Sequence, residues 1–539
     1  MGFRLTRRWK RYAVVLAIAI GLVFPAVAAL PAWAAYPGPN GLISLRAAAA
    51  TLTVCPSGCP YSQISDAVAA AHGGDTIQVA AGTYRGGFTI GVSVKIVGAG
   101  AGSTAISGGG PVITIGSFGV NAEPTVFIDG VTITRGGARS SPESAALAGE
   151  DGVWALGGGV EIPPKAHFAG GATVTITNSV ITGNSTAPST SLPSGFAFAG
   201  GAGVDNWGTL TLTNTTVSDN QAGGPVASDA GGAGIQNWRN LTLNNTVVTR
   251  NRAITSAPNG CSAEGGGITS LGKLTIAASA VSDNTVELSS NAVCGDAHGG
   301  GILVHGSATI SNTTVSHNRA AASSTVTDAN AFSGGIADYG TLALRDSTIS
   351  GNLVSAATTA ATGTANPTSG GLGIDFGGKA TISNTSITGN DVSATAATGT
   401  ADAEAGGIQT ANTTLSNSLV SGNRLTATTQ TGSAIVHGAG IDHGNGLLDV
   451  YDTTISDNTA TANGPTGQAL GGGVWNDVFF PPPPNPQLNL TKTTVTGNTL
   501  TASPGITVHG GGLFTTFPIT LTDSTISGNS PDNCFGVSC

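Results

Sequence analysis

The stretch Gly299–Asn318, GGGILVHGSATISNTTVSHN, sets the pattern of the chain. Three glycines lead to Ile302, and the chain turns at His305-Gly306. An alternating run follows, Thr309-Ile310-Ser311-Asn312, and a second apolar point, Val315, precedes Asn318. The closing ten-residue block recurs eleven times, starting at Thr175, Thr211, Thr242, Thr275, Thr309, Ala343, Thr381, Thr414, Asp449, Asn489 and Thr520. Its second position is Ile, Leu or Val and its seventh is Val or Ile; its fourth is Asn or Asp except at Ala278 and Lys492. The last position is always Asn: Asn184, Asn220, Asn251, Asn284, Asn318, Asn352, Asn390, Asn423, Asn458, Asn498 and Asn529. Ahead of each block stand glycines and one apolar residue, from Val160 to Leu513.

Blocks return every 31 to 40 residues, so the architecture is a repeat. The alternation has period two, which is strand and not helix. One such strand cannot bury its apolar points alone; stacked units bury the Ile and Val columns in one continuous core. The fold class is therefore all-β, a single-stranded parallel β-helix or solenoid with one coil per repeat. Parallel crossovers are overwhelmingly right-handed, so a right-handed solenoid is expected. Each coil is expected to hold about three short strands. The Ala/Ser/Thr/Gly-rich segments of about 10 to 17 residues after each terminal Asn read as loops that emerge at one corner. Asn tolerates a left-handed turn, and stacked Asn amides can bond to one another along the axis. The Asn column thus reads as a structural ladder, and the glycines as sites of close approach or positive φ.

Met1–Ala35 has a basic start (Arg4, Arg7, Arg8, Lys10, Arg11), an apolar run from Ala13 to Leu30 and the sequence Ala32-Trp33-Ala34. It reads as a cleaved signal peptide over 1–34; the competing reading is an uncleaved membrane anchor. Cleavage leaves 15 basic and 29 acidic residues, a formal net charge of −14. That excludes nucleic acid as the main ligand and leaves no membrane span. Six cysteines in an exported chain imply disulfides. Cys261 and Cys294 lie one repeat apart and are expected to bridge adjacent coils; Cys55–Cys59 and Cys534–Cys539 would close small loops. No cysteine spacing suits zinc, so no metal is expected. The organisation is then 35–50 linker, 51–139 N-terminal cap and first coils, 140–529 β-helix of about eleven repeats, and 530–539 a disulfide-closed cap. Tyr61–Ala71 is a helix candidate with Ile64 and Val68 on one face, placed to cover the open first coil. Phe127–Gly136 reads as a degenerate block with Asp129 on the Asn/Asp column, Arg139–Trp154 and Glu161–Gly171 as inserted loops, and Val478–Gln487, with Pro481–Pro484, as a stiff loop.

The run Tyr61-Ser-Gln-Ile, Ala67-Val68, Gly74-Asp-Thr-Ile, Gly82-Thr-Tyr84 resembles the amino-terminal cap of pectin-lyase-like right-handed β-helix proteins. The glycine cluster with [Val/Ile]-[Ser/Thr]-x-Asn is similar to the repeats of polymorphic outer-membrane proteins and related adhesins. Those repeats often carry Phe where this chain has Val or Ile. The resemblance covers nearly all of the mature chain. It implies the fold; one fold of this kind hosts lyases, hydrolases, esterases and adhesins.

The strand after the glycines carries the unusual residues: Asp205, Asn206, Trp207; Gln236, Asn237, Trp238; Tyr339; Asp375. With Trp207 and Trp238 one coil apart, they read as a sugar-binding strip. The competing reading is outward strand residues with the indoles packed under the long loops. For catalysis, Arg239 beside Asp205 and Trp207 is the most lyase-like set, and Asp442-His443 with His437 the densest local one. The polygalacturonase-type signatures are missing, and His298, His437 and His509 fall on separated coils. The resulting expectation is a secreted or cell-surface monomer that binds glycan or cell-wall polysaccharide, adhesin-like and without a cofactor. The alternative is a polysaccharide lyase or glycoside hydrolase, with calcium only under the lyase reading. A third reading, an ice-binding solenoid, rests on Thr pairs such as Thr175/Thr177. Arg345, Asp449 and Tyr451 interrupt that array.

Overall fold

The computed structural model describes residues 48–539 apart from 119–122, 139–151, 166–169, 189–195, 257–261, 290–294, 376 and 479–485. The stretch read as a signal peptide, Cys261, Cys294, Pro481–Pro484 and most of the Arg139–Trp154 insertion lie outside the described residues. Ala50–Cys539 is one compact unit, a right-handed parallel β-solenoid of about eleven turns. Among the described residues no helix is long and apolar enough to cross a membrane.

Each full coil contributes five strands, not three. In the coil that follows Gly299 they are Ile302–Val304, Ser307–Ser311, Thr314–Ser316, Arg319–Ser324 and Ala329–Phe332. Stacked coil on coil, the described residues form five parallel sheets. Sheet I, built from strands like Ser307–Ser311, has 15 strands. Sheet II (Thr314–Ser316) and sheet III (Ile302–Val304) have 14 each, and sheets IV (Arg319–Ser324) and V (Ala329–Phe332) have 11 each. The segments expected to be loops are thus the strands of sheets IV and V.

Sheets I, II and III enclose the main core. Ile302, Ile310 and Val315 all point into it and are fully or almost fully buried, each worth about 1.5–3 kcal/mol. Sheets IV and V enclose a second core in which alanine predominates, with Ala297, Ala331, Ala365, Ala401 and Ala403 among its members beside Val286, Val392 and Leu425. Strand alternation explains it: in Thr400-Ala-Asp-Ala-Glu404 the alanines turn inward and the acids outward. Helix α1, Ile64–Ala70, buries Ile64, Ala67 and Val68 against the first strands of the main core. Cys55 is bonded to Cys59, and Cys534 to Cys539.

The two asparagine columns divide the turn work. The fourth block residue takes the left-handed conformation, as at Asn312 (φ 48°) and Asn384 (φ 49°). The terminal Asn does not. It lies inside, between sheets II and IV. Asn318 Oδ1 accepts from the backbone N and the Nδ2 of Asn284, both at 3.0 Å. Asn318 Nδ2 donates to Val281 O at 2.9 Å and to Asn352 Oδ1 at 3.0 Å. The pattern runs from Asn184 to Asn529, where Nδ2 donates to Asn533 Oδ1. Gly301 is small for this reason: a Cβ there would sit 2.6 Å from Gly335 O and 2.9 Å from Asn318 Nδ2. Asp129 is one place off its expected column, because it pairs with Thr177 and leaves the turn to Gly130 (φ 66°). Its carboxylate still accepts from Asn178 Nδ2 at 2.7 Å.

Replacing Asn318 by Ala strands several buried polar partners at once. Each costs about 1–3 kcal/mol. A loss on the order of 3 kcal/mol is expected in urea unfolding, against under ~0.5 kcal/mol for the exposed Thr314→Ala. Equal losses would contradict the ladder's role.

Candidate functional site

Sheet V meets sheet III at a left-handed residue: Gly232 (φ 51°), Gly299 (φ 61°), Ser333 (φ 57°) or Ala405 (φ 53°), for example. The bend folds the outward faces of the two sheets toward each other. One inner corner therefore collects side chains from every coil, at the same lateral position each time. Asp205, Gln236, Leu303 and Asp442 come from sheet III. Glu264, His298, Phe332, Glu404 and His437 come from sheet V.

The first section is aromatic. Trp238 stacks on Trp207, with centroids 4.3 Å apart and planes 11° apart, and lies near-parallel to Trp154 at 5.9 Å. Phe198 meets Trp154 edge-on. Trp207 is 2% exposed, so it serves as packing under sheet V and not as an open platform. Trp238 is partly exposed at the rim. Its Nε1 donates to Asp205 Oδ1 at 2.9 Å. Asp205 is 1% exposed. Burial pushes its carboxyl up to about 7, against the opposing indoles of Trp238 and Trp207. Asn206, Gln236 and Asn237 are buried as well. Asn206 and Asn237 point into the main barrel, where Asn206 Nδ2 donates to Asn237 Oδ1 at 2.8 Å and Asn237 Nδ2 to Ser270 Oγ at 2.9 Å. They form a short second ladder, which removes them from any surface strip. Arg239 is exposed on the turn beyond, while Asp205 is buried and accepts from Trp238.

The middle section holds histidine and tyrosine. Tyr339 Oη and His298 Nδ1 are 2.8 Å apart. His305 stacks on Tyr339 at 5.2 Å, and His298 on Phe332 at 4.8 Å. Burial, reinforced by Asp375, Asp296 and Glu264, holds the Tyr339 phenol well above its ordinary range. Burial lowers His305, with Glu264 opposing. Tyr339, Asp375, His298 and His305 are all partly exposed.

The third section is acidic. His437 Nδ1 lies 2.6 Å from Asp442 Oδ2, and Trp475 tilts over the imidazole at 4.5 Å. Burial works against protonating His437, but Asp442, Glu404 and Asp402 outweigh it and raise it to about 10. Burial raises Glu404 well above the carboxylate range, His437 opposing and Asp402 and Asp442 adding. His443 does not join this group. As the strand neighbour of Asp442 it faces the other way. It is 0% exposed, bonds Thr410 Oγ1 through Nδ1 at 2.8 Å, and is lowered by burial to about 4. Asp442 and His437 thus form a pair, and His443 is a core residue. Asp402 and Glu404 enter the site unannounced by any spacing motif. Their only sequence signal is the Ala-Asp-Ala-Glu alternation. Two further concavities of the described surface, over Asn384–Asn417–Asp452 and beside Gln63–Gly110, are lined largely by turn residues.

No protein-family model and no curated protein matches the chain. Among solved structures it is similar to the A-module of mannuronan C-5 epimerase AlgE6 from Azotobacter vinelandii, at 14% identity over 84% of this chain and 93% of that one, with a TM-score of 0.28. It is also similar to PfbA, a surface adhesin of Streptococcus pneumoniae, at 14% identity over 72% and 86%, TM-score 0.28. A third is a polygalacturonase from Erwinia carotovora ssp. carotovora, at 10% identity over 87% and 96%, TM-score 0.23. These neighbours are pectin-lyase-like β-helix proteins.

Asp205 gives a pH prediction. Between about pH 4 and pH 7 the folded chain keeps a proton that the unfolded chain has released, so stability falls as pH rises through that window. Asp205→Asn removes the penalty. Its melting temperature relative to the parent should be higher at pH 8 than at pH 5, by an amount corresponding to a few kcal/mol at most. An equal gap at both values would contradict the buried acid.

Proposed function

We propose that the chain is an exported polysaccharide-binding solenoid whose ligand, an extended glycan, lies along the coil axis over the rim of the sheet III–sheet V corner. The observation that carries this is the repetition of partly exposed aromatic and hydrogen-bonding side chains in two columns along one corner, His298, Phe332 and Glu404 on sheet V and Trp238 and Tyr339 just past sheet III strands. Coils repeat at about 4.8 Å, so a linear polymer meets a new set of side chains at each step. Aromatic rims of this kind offer both an apolar face and polar edges to a sugar.

Charge narrows the ligand. Glu264, Asp296, Asp375, Asp402 and Glu404 crowd the same rim, in a chain with formal net charge −9. Such a field repels uronate polymers and admits neutral or amino-bearing ones. The paired cysteines at both ends of the solenoid support an oxidising, extracellular setting.

One observation favours a second reading, glycoside hydrolysis. Burial raises the Glu404 carboxyl beside Asp402, the direction in which a general acid is tuned.

The test is co-sedimentation of the purified chain with a neutral glucan, with chitosan and with pectate, alongside an assay for released reducing ends. Retention on one or both of the first two and not on pectate is expected. Trp238→Ala should weaken it about tenfold, which is ~1.4 kcal/mol, with circular dichroism checking the fold. Indifference to polymer charge or to Trp238 would contradict the binding reading. Release of reducing ends, lost in Glu404→Gln, would replace it by hydrolysis.

A further inference from the structure

The acidic section holds a set of donors that glycan binding does not require. Glu404 and His437 are register partners on adjacent strands of sheet V, and Asp402 lies two residues before Glu404 on the same face. One ligand atom from each of the three lies within 4.8 Å of the others. His437 Nε2 is 3.6 Å from Glu404 Oε1 and 3.9 Å from Asp402 Oδ1. Those separations are long for hydrogen bonds. They approach the ~3.4 Å expected between two ligands that share a tetrahedral ion at about 2.1 Å.

Two further observations point to a cation. Behind the imidazole, Asp442 is 0% exposed and takes His437 Nδ1 at 2.6 Å. That leaves Nε2 turned toward the two carboxylates. Metal-binding histidines are oriented in this way, with the second nitrogen held by a buried carboxylate. In front, Asp402 Oδ1 is a buried atom with no hydrogen-bond partner, which is costly for a carboxylate oxygen. It is the same atom that faces His437 Nε2. With the imidazole neutral, as a metal ligand must be, three ionised carboxylates carry a formal charge of −3. A divalent ion offsets most of that charge.

We propose that Asp402, Glu404 and His437 bind a divalent transition-metal cation, with Asp442 as the positioning residue. One imidazole nitrogen and two carboxylates suit Zn²⁺ or Mn²⁺ better than Ca²⁺, which takes oxygen ligands. The side chains of Asp402 and Glu404 are 24% and 12% exposed, against 7% for His437. The ion therefore enters from the rim, and its open side faces solvent and the polymer path.

The experiment is calorimetric titration of Zn²⁺, Mn²⁺ and Ca²⁺ into the purified, chelator-stripped full chain near neutral pH. One Zn²⁺ or Mn²⁺ per chain is expected, bound at least about 100-fold more tightly than Ca²⁺. The double variant Asp402→Asn/Glu404→Gln keeps the side-chain shapes and should lose the site by about 100-fold or more. Asp442→Asn should weaken it about 10- to 100-fold. The bound ion should raise the melting temperature of the parent and not of the double variant. Absence of stoichiometric binding overturns the proposal. So does binding undiminished in the double variant, which would assign the ion to other histidines. Asp442→Asn binding as tightly as the parent would remove Asp442 from the site. None of these outcomes depends on whether the chain retains a polysaccharide.

Discussion

A column of asparagine amides, one per coil from Asn184 to Asn529 and lying between sheets II and IV, fixes how each of those coils sits on the next. Each amide is saturated: its oxygen takes two donors from the coil before, and its nitrogen serves the coils on both sides. No other side chain of that size carries both a donor pair and an acceptor, apart from the longer glutamine. An aspartate in the column would place like charges on neighbouring coils, in a site without water. The column also explains the glycines beside it, since a Cβ at Gly301 would collide with both the ladder and the next backbone.

Register held at that corner is inherited by every other column. Because Asn318 sits directly over its neighbours, His298 pairs with Phe332 and Glu404 with His437 on adjacent strands of sheet V. The left-handed residue between sheets V and III then folds two outward faces together. Chemically diverse side chains meet there although they lie far apart in sequence, as with Tyr339 and His298, 41 residues apart. The consequence for charge follows directly. Desolvation acts on Asp205, Glu404, Asp442 and His443 because the corner and the barrel end exclude water, and it pushes each toward its neutral form, the carboxyls up and the imidazole down.

The main barrel is legible in the sequence because its signal is large: bulky Ile and Val at period two, punctuated by Gly and Asn. Sheets IV and V are not legible in the same way. Their inward residues are mostly alanines, which are weak strand formers, and segments such as Arg319-Ala-Ala-Ala-Ser-Ser324 carry the composition of a loop. Tertiary pairing with the same segment one coil away makes them strands. Missing those strands hides Asp402 and Glu404, since only the strand alternation turns both acids to one face. It also misplaces Trp207, which points outward from sheet III and is covered by sheet V. Adjacency in sequence misleads at Asp442-His443, where neighbours on a strand occupy opposite faces, and in Asn206-Trp207, where one residue joins a ladder inside the barrel and the next a stack outside it.

The account stands on segments such as Thr400–Glu404 being strands of a hydrogen-bonded sheet, because the corner and everything in it depend on them. Hydrogen exchange read by mass spectrometry tests this most directly. The amides of Thr400–Glu404 and Ala329–Phe332 should be protected to the same order as those of the barrel strands Lys379–Ser383 and Ser307–Ser311. Exchange of the first pair at the rate of an unstructured peptide, with the second pair protected, would leave a three-sheet barrel with loose loops and would dissolve the corner.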